Sequence, residues 1–543
     1  YFPSHLGMRL EVNHPLYALA WAGGGELIFR ACRWWNGGAL AERPRDWAWL
    51  AFGIFFVAAI PTLVLIAPDK VFWINDHFLW TMHNDYIEEF FGLWRFLQSQ
   101  LDSGYYMLFI IMANPLVLLA IPMLLWSCSR KFPRPVRAVL LVGLPTGLIT
   151  FGLSVAQVRW TEINYSLWLA ALVMVTFALQ APGAYRWTWW RRGIAGALLA
   201  WSLVPSPAYL VYMWIHTQWH APVSPVEEFE WAVRDATQRL RNRVGNDRAL
   251  ILSGPTSSTW LTYYGGFPTI GTYYWENLPG MKAAAAIYGA TYENAARLIL
   301  ARGITHLVIF SFVDNPGEYA RLARGLRATQ PPPDDAFAWH MQTAGEIPQW
   351  LHPIYYQMPP GDFFKNSRIF TYEVAPGQTP EAALTRLAEL QMQYGNNAPA
   401  TSLLRTVLAH DSTYLPALIT LARLQLATNQ SADFNTTLLS LRILAPQAGQ
   451  LDLEDRVDLA GIFSRTQDHD LELDQLRLAL RDANSHTLRK LRPDALYQLL
   501  YLARAQGLID AHPGLWGFGL TLLPTSATLP LFASRSEETR VGT

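Results

Sequence analysis

Long apolar runs alternate with short polar loops up to about residue 215. Beyond it the runs shorten to strand and helix lengths. In the first part five stretches, 47–67, 105–126, 138–156, 165–181 and 193–215, have the apolar length that a helix needs to cross a bilayer. A sixth, 15–31, carries Glu26 and the glycines Gly23 to Gly25. Basic residues gather in alternate loops: Arg33, Arg43 and Arg45, then Arg130, Lys131, Arg134 and Arg137, then Arg186, Arg191 and Arg192. The loop 68–104 is instead acidic, with Asp69, Asp76, Asp85, Glu88, Glu89 and Asp102. Loops rich in Lys and Arg stay cytoplasmic. The pattern predicts a polytopic α-helical membrane domain over 1–215, with about six helices, in a bacterial inner membrane. Loop 68–104 and everything after about 216 then face the periplasm.

After 216 the periods change. Ser224-Pro225-Val226-Glu227 matches a capping box and opens a helix to about Val244. Strand patterns follow at 248–253, 269–274, 305–312 and 368–374, with helical stretches at 280–290 and 292–302 and Gly303 at a helix C-cap position. The alternation predicts a periplasmic α/β domain over 216–375. From 376 to about 512 the chain is helical. Leu387-Ala388-Glu389-Leu390 recurs as Leu421-Ala422-Arg423-Leu424, 34 residues later, which is the tetratricopeptide period. Looser echoes stand at Leu459-Ala460 and Leu502-Ala503. Residues 376–543 therefore read as a tetratricopeptide-like helical-repeat domain with a polar tail, a fold whose stacked hairpins suit a protein partner.

Composition strengthens the membrane reading: 51% of residues are apolar and only 15% charged, against roughly 25% charged in soluble proteins. The 42 basic and 42 acidic residues cancel, which removes the electrostatic case for a nucleic-acid partner. Two cysteines, Cys32 and Cys128, exclude a cysteine zinc site and give no disulfide framework. No signal peptide is visible. A start at Tyr1, inside what reads as a structured segment, points to a processed or truncated product.

No soluble catalytic motif stands out. Gly23 to Gly25 lie in an apolar run, where small residues let helices pack closely. Ser253-Gly254 lacks the flanks of a nucleophile elbow, and His306 reads as a satisfied strand residue. His216 and His220 share a helix face without a third ligand. The external loops offer more. Arg9, Glu11, Asn13 and His14 precede the first span; His83 and the acidic trio Asp85, Glu88 and Glu89 lie in loop 68–104. The trio can share one helix face, and clustered carboxylates hold a divalent cation or act as a general base. Arg159 stands where a span leaves the membrane, and its planar fork suits a phosphate. The alternative is a solvated loop with an Arg159–Glu162 ion pair.

The order of a long external loop, four spans and an external α/β domain resembles the C-terminal half of the oligosaccharyltransferase catalytic subunit, and more broadly the GT-C membrane glycosyltransferases. Gln157-Val158-Arg159-Trp160 is similar to that family's arginine segment. Gly271-Thr272-Tyr273-Tyr274-Trp275-Glu276-Asn277-Leu278-Pro279-Gly280 and the stretch 297–310 resemble bacterial relatives of uncertain substrate. The resemblance covers about residues 1–375. It implies sugar transfer from a polyprenyl-phosphate donor at the periplasmic face. Arg159 would hold the donor phosphate, Asp85, Glu88 and Glu89 would coordinate Mg²⁺ or Mn²⁺ or orient the acceptor, and His14, Arg9 and His83 would line the cavity. The family's first external loop, with its metal-binding aspartate, would lie upstream of Tyr1, and the Trp-Trp-Asp acceptor motif is absent: Trp260 is followed by Leu261 and Thr262. The second reading is a non-catalytic membrane subunit whose helical repeats dock a partner protein.

Overall fold

The computed structural model describes residues 14–67, 75–87, 91–102, 149, 152–160, 189, 204–220, 225–272, 277–343, 347–359, 364–365, 367–447, 449 and 451–523. The chain divides into two compact units, 1–222 with 325–331, and 223–324 with 332–543.

In the first unit, helices α1 (Pro15–Trp35) and α2 (Pro44–Ile66) pack as a hairpin. They meet at Gly23 and Gly53, where a Cβ on either residue would lie about 3 Å from the other's backbone; glycine is what permits that approach. Short helices α3 (His77–Thr81) and α4 (Leu93–Asp102) follow, and later α5 (Pro205–His220).

The polytopic membrane domain is corrected by these elements. Among the described residues α2 alone is long and apolar enough to cross a membrane. The apolar run of α1 is interrupted by Glu26, Arg30 and Arg33, and α5 has only 16 residues. Two arginines near the first basic loop are also spent locally. Arg30 Nε sits 2.6 Å from Glu26 and its Nη1 donates to the Leu40 carbonyl at 2.8 Å, while Arg33 lies 2.6 Å from Glu42. Their charge braces the α1–α2 turn. Stretches 105–126 and 165–181 lie outside the described residues, and 138–156 and 193–215 are described only in part.

The second unit begins with α6 (Pro225–Val244) and a five-stranded sheet. The strands are β1 (Ile251–Leu252), β2 (Thr269–Ile270), β3 (His306–Phe310), β4 (Leu351–Ile354) and β5 (Ile369–Val374), in the order β2-β1-β3-β5-β4. β1 runs parallel to β2 and β3; β5 runs antiparallel to β3 and β4. Helices α7 (Pro255–Gly265), α8 (Leu278–Tyr288), α9 (Tyr292–Ala301), α10 (Pro316–Ala323) and α11 (Phe337–Thr343) connect them. Side chains of a strand alternate between faces. Accordingly Leu307 and Ile309 join Ile287, Ile299 and Phe337 on one side, while Val308 and Phe310 join Val233, Leu261 and Phe267 on the other. All five residues of β3 are buried, as a central strand covered on both faces must be. Gly303 takes φ +66° just after α9, the left-handed turn that ends many helices.

The rest is a stack of helical hairpins: α12 (Pro380–Gln393) with α13 (Asn397–His410), α14 (Leu415–Ala427) with α15 (Ser431–Leu444), and α16 (Leu453–Arg465) with α17 (His469–Asp482). The short α18 (Ser485–Lys490) leads to α19 (Pro493–Ala505) and α20 (Pro513–Leu522). First helices α12, α14, α16 and α19 lie side by side. The repeat shows in the turns. Gly395, Asn429, Gln467 and Gly507, each two residues past a first helix, all take positive φ. The next N–H in each case donates five residues back, Asn396 to Gln391, Gln430 to Gln425, Asp468 to Phe463 and Leu508 to Ala503, which is the Schellman closure.

The stack is clasped to the sheet domain at two places. Helix α12 packs on edge strand β4. Lys490 in α18 lies 3.2 Å from Glu373 of β5, Arg489 Nη1 donates to the Asn242 carbonyl at 2.8 Å, and Arg243 Nη1 donates to the Lys490 carbonyl.

Candidate functional site

In open α/β sheets ligands bind beyond the carboxyl ends of parallel strands, where the strand order reverses. Here that point lies beyond β1 and β3, and the protein fills it itself. Asp314, fully buried, accepts from Ser257 Oγ at 2.7 and 2.8 Å and from the Phe310 N–H at 2.9 Å. A Cβ on Gly254 would meet Asp314 Oδ1 at 2.0 Å. Burial pushes the Asp314 carboxyl up to about 7, against the pull of the Phe310 N–H and Ser257 hydroxyl. Ser253 Oγ donates to the Val308 carbonyl at 2.6 Å. His306 pairs with Thr305 Oγ1 at 2.9 Å, and burial takes it down to about 4. These groups hold the fold.

The first helices of the hairpin stack are different. Their shared face carries a ladder of opposite charges. Arg386 on α12 lies 2.9 Å from Glu389 and 3.0 Å from Asp452. Arg423 on α14 lies 2.8 Å from Asp458 of α16. Arg492, before α19, lies 2.6 Å from both Glu454 and Asp458. Thr420 Oγ1 donates to Glu389 at 3.3 Å. Burial opposes ionisation of Glu389, but the guanidiniums of Arg386, Arg492 and Arg423 outweigh it and hold its carboxyl at about 2.

At the α12 end of this ladder a cavity of about 670 Å³ opens where the sheet edge meets the first hairpins. Such a volume falls within the range of small-ligand and peptide side-chain pockets. Its walls include His352 of β4, Thr385 and Arg386 of α12, Tyr414, and Asp452 and Asp455 at the start of α16. Burial pushes Asp455 up to about 7; Arg386 pulls it down, while Glu389, Asp452 and Asp458 add repulsion. Burial, then the positive fields of Arg386 and Arg243, takes His352 down to about 4, so the imidazole is neutral near pH 7.

The residues read from sequence fall elsewhere. His14 caps α1, its Nδ1 accepting from the Leu16 N–H at 3.2 Å. His83 is buried in a π-helical turn, Met82–Tyr86, and its Nδ1 donates to the Leu79 carbonyl. Asp85 sits half-buried in the same turn, whose Asn84 carbonyl accepts from Arg95 Nη1 at 2.9 Å. Arg159 lies on the 3-10 turn Val158–Trp160, and the Val158 N–H donates to Phe91 at 2.8 Å. The structure therefore ties the arginine turn to Phe91, within the acidic loop 68–104. Arg9, Glu88, Glu89 and the Arg159 side chain lie outside the described residues. Among the described residues no group of three or more His, Cys, Asp or Glu side chains is placed to hold a metal ion.

No protein-family model and no curated protein matches the chain. The ladder escaped the sequence reading because its members are spread from 386 to 492. The one available signal was the inner-face swap of Glu389 for Arg423 at equivalent repeat positions.

Proposed function

We propose that the hairpin stack docks a segment of a partner polypeptide and that the cavity between β4, α12 and α16 anchors it. The observation that carries this is the cavity itself: it lies within one compact unit, walled by β4, α12, the segment 411–416 and the start of α16, and polar and apolar side chains share its lining. Stacked helical hairpins present such faces to peptides as a general property of their geometry. Selection of a random peptide display library on the full chain tests it. Enriched peptides should lose binding to Ala382→Trp, which fills the cavity wall, while the variant melts as the wild type does. Enriched peptides indifferent to that substitution, or no enrichment, overturn the reading.

A second reading, sugar transfer from a polyprenyl-phosphate donor, is favoured by the Val158–Phe91 hydrogen bond, which sets the Arg159 turn beside the chain that follows Asp85. Arg159→Ala should then abolish turnover of such a donor while leaving the protein folded; unchanged turnover removes the assignment.

A further inference from the structure

We infer that the cavity receives the positively charged end of a lysine or arginine side chain, bound at Asp455. This deepens the docking proposal and rests on it. Along the ladder three guanidiniums (Arg386, Arg423, Arg492) face six carboxylates (Glu389, Asp452, Glu454, Asp455, Asp458, Asp494), so negative charge is in excess. Distances single out Asp455 as the buried carboxylate that the guanidiniums serve least. Arg386 spends its two terminal nitrogens on Glu389 and Asp452 at 2.9 and 3.0 Å and stands 3.9 Å from Asp455. That is beyond hydrogen-bond reach. Among the described residues no hydrogen bond reaches the Asp455 carboxyl and its one ion-pair contact is Arg386, though only 3% of it is exposed, and it lines the cavity. A buried carboxylate without donors is costly, and a cationic side chain entering from the cavity supplies both charge and N–H groups.

The other groups around Asp455 do not supply that cation. Glu389 shares α12 with Arg386, Asp458 shares α16 with Asp455 and Asp452 immediately precedes that helix, Asp411 and Tyr414 stand ahead of α14, and neutral His352 faces from β4. Asp452, 76% exposed at the cavity rim, adds a second carboxylate on the entry path. The raised Asp455 carboxyl gives the site a pH signature. A cation binds the ionised form, so affinity rises about tenfold from pH 6 to pH 8 for a group titrating near 7.

The probe is Nα-acetyl-lysine methylamide, titrated into the full chain by calorimetry or NMR beside its uncharged analogue, Nα-acetyl-norleucine methylamide. The lysine probe should bind at pH 8, the norleucine probe at least tenfold more weakly. Asp455→Asn should erase that preference while leaving the fold intact. Asp452→Asn, at the exposed rim, should weaken the lysine probe about threefold and serves as a second variant. Equal binding of the two probes, no binding of the lysine probe, or a preference that survives Asp455→Asn overturns the inference. Failure here leaves the docking proposal to be judged by the display selection. Enriched peptides that need the cavity but no basic residue would overturn the cation alone.

Discussion

Asp314 in the sheet domain and Asp455 in the hairpin stack are both buried carboxyls that burial raises to about 7. Their surroundings differ. Asp314 is held by Ser257 and the Phe310 N–H, and its Oδ1 occupies the place that a Cβ on residue 254 would take. Among the described residues no hydrogen bond reaches Asp455, whose nearest cation is Arg386 at 3.9 Å, and it faces an open cavity. A raised pKa alone does not mark a site. Satisfied lone pairs mark a structural group, and unsatisfied ones facing a cavity mark a place for a ligand.

Substitutions can break this contrast or sharpen it. The largest effect belongs to the ladder that supports Asp455. Arg492→Ala leaves Glu454 and Asp458 without their closest cation, and urea unfolding should show a loss of about 3 kcal/mol. Asp314→Asn replaces an acceptor by an amide that cannot serve Ser257 and the Phe310 N–H equally well; the expected cost is about 2 kcal/mol. Asp455→Asn should go the other way, a gain of about 1 kcal/mol, because it removes an unmet buried charge. If both asparagine variants destabilise alike, the contrast fails.

The pH dependence refines the same point. Both carboxyls hold their protons more tightly in the folded chain than in the unfolded one, where they titrate near 3.8. Each therefore costs the wild type stability as pH rises from about 4 to about 7. The Asp455→Asn gain should grow across that window and level off above it. A gain that is flat with pH would mean that Asp455 keeps its charge throughout. The smallest effect is in the repeat turns. Gln467 pays for φ +61° where glycine would not, so Gln467→Gly should raise stability by up to about 1 kcal/mol.

Much of the second unit could be read from local pattern. β3 was legible because Leu307 to Phe310 run unbroken, β5 because β-branched and aromatic residues dominate Ile369–Val374, and α6 and α9 because caps and period agree. β4 was missed: Leu351–Ile354 contains His352 and Pro353, a composition that argues against a strand except at a sheet edge, which is where it lies. The hairpin spacing was visible at its first step, but the stack's starts at Pro380, Leu415, Leu453 and Pro493 drift wider than 34 residues, so later echoes blurred. In the first unit hydropathy misled at α1, because it does not register that Arg30 is paired within its own hairpin. The cavity was invisible to sequence, since β4, α12 and α16 meet only in the fold.

The most direct measurement of the docking claim is hydrogen exchange of the full chain with and without a peptide selected on it. Protection should rise at 377–386, 411–416 and 451–455, the segments that wall the cavity. Protection confined to other surfaces, with these segments unchanged, would contradict it.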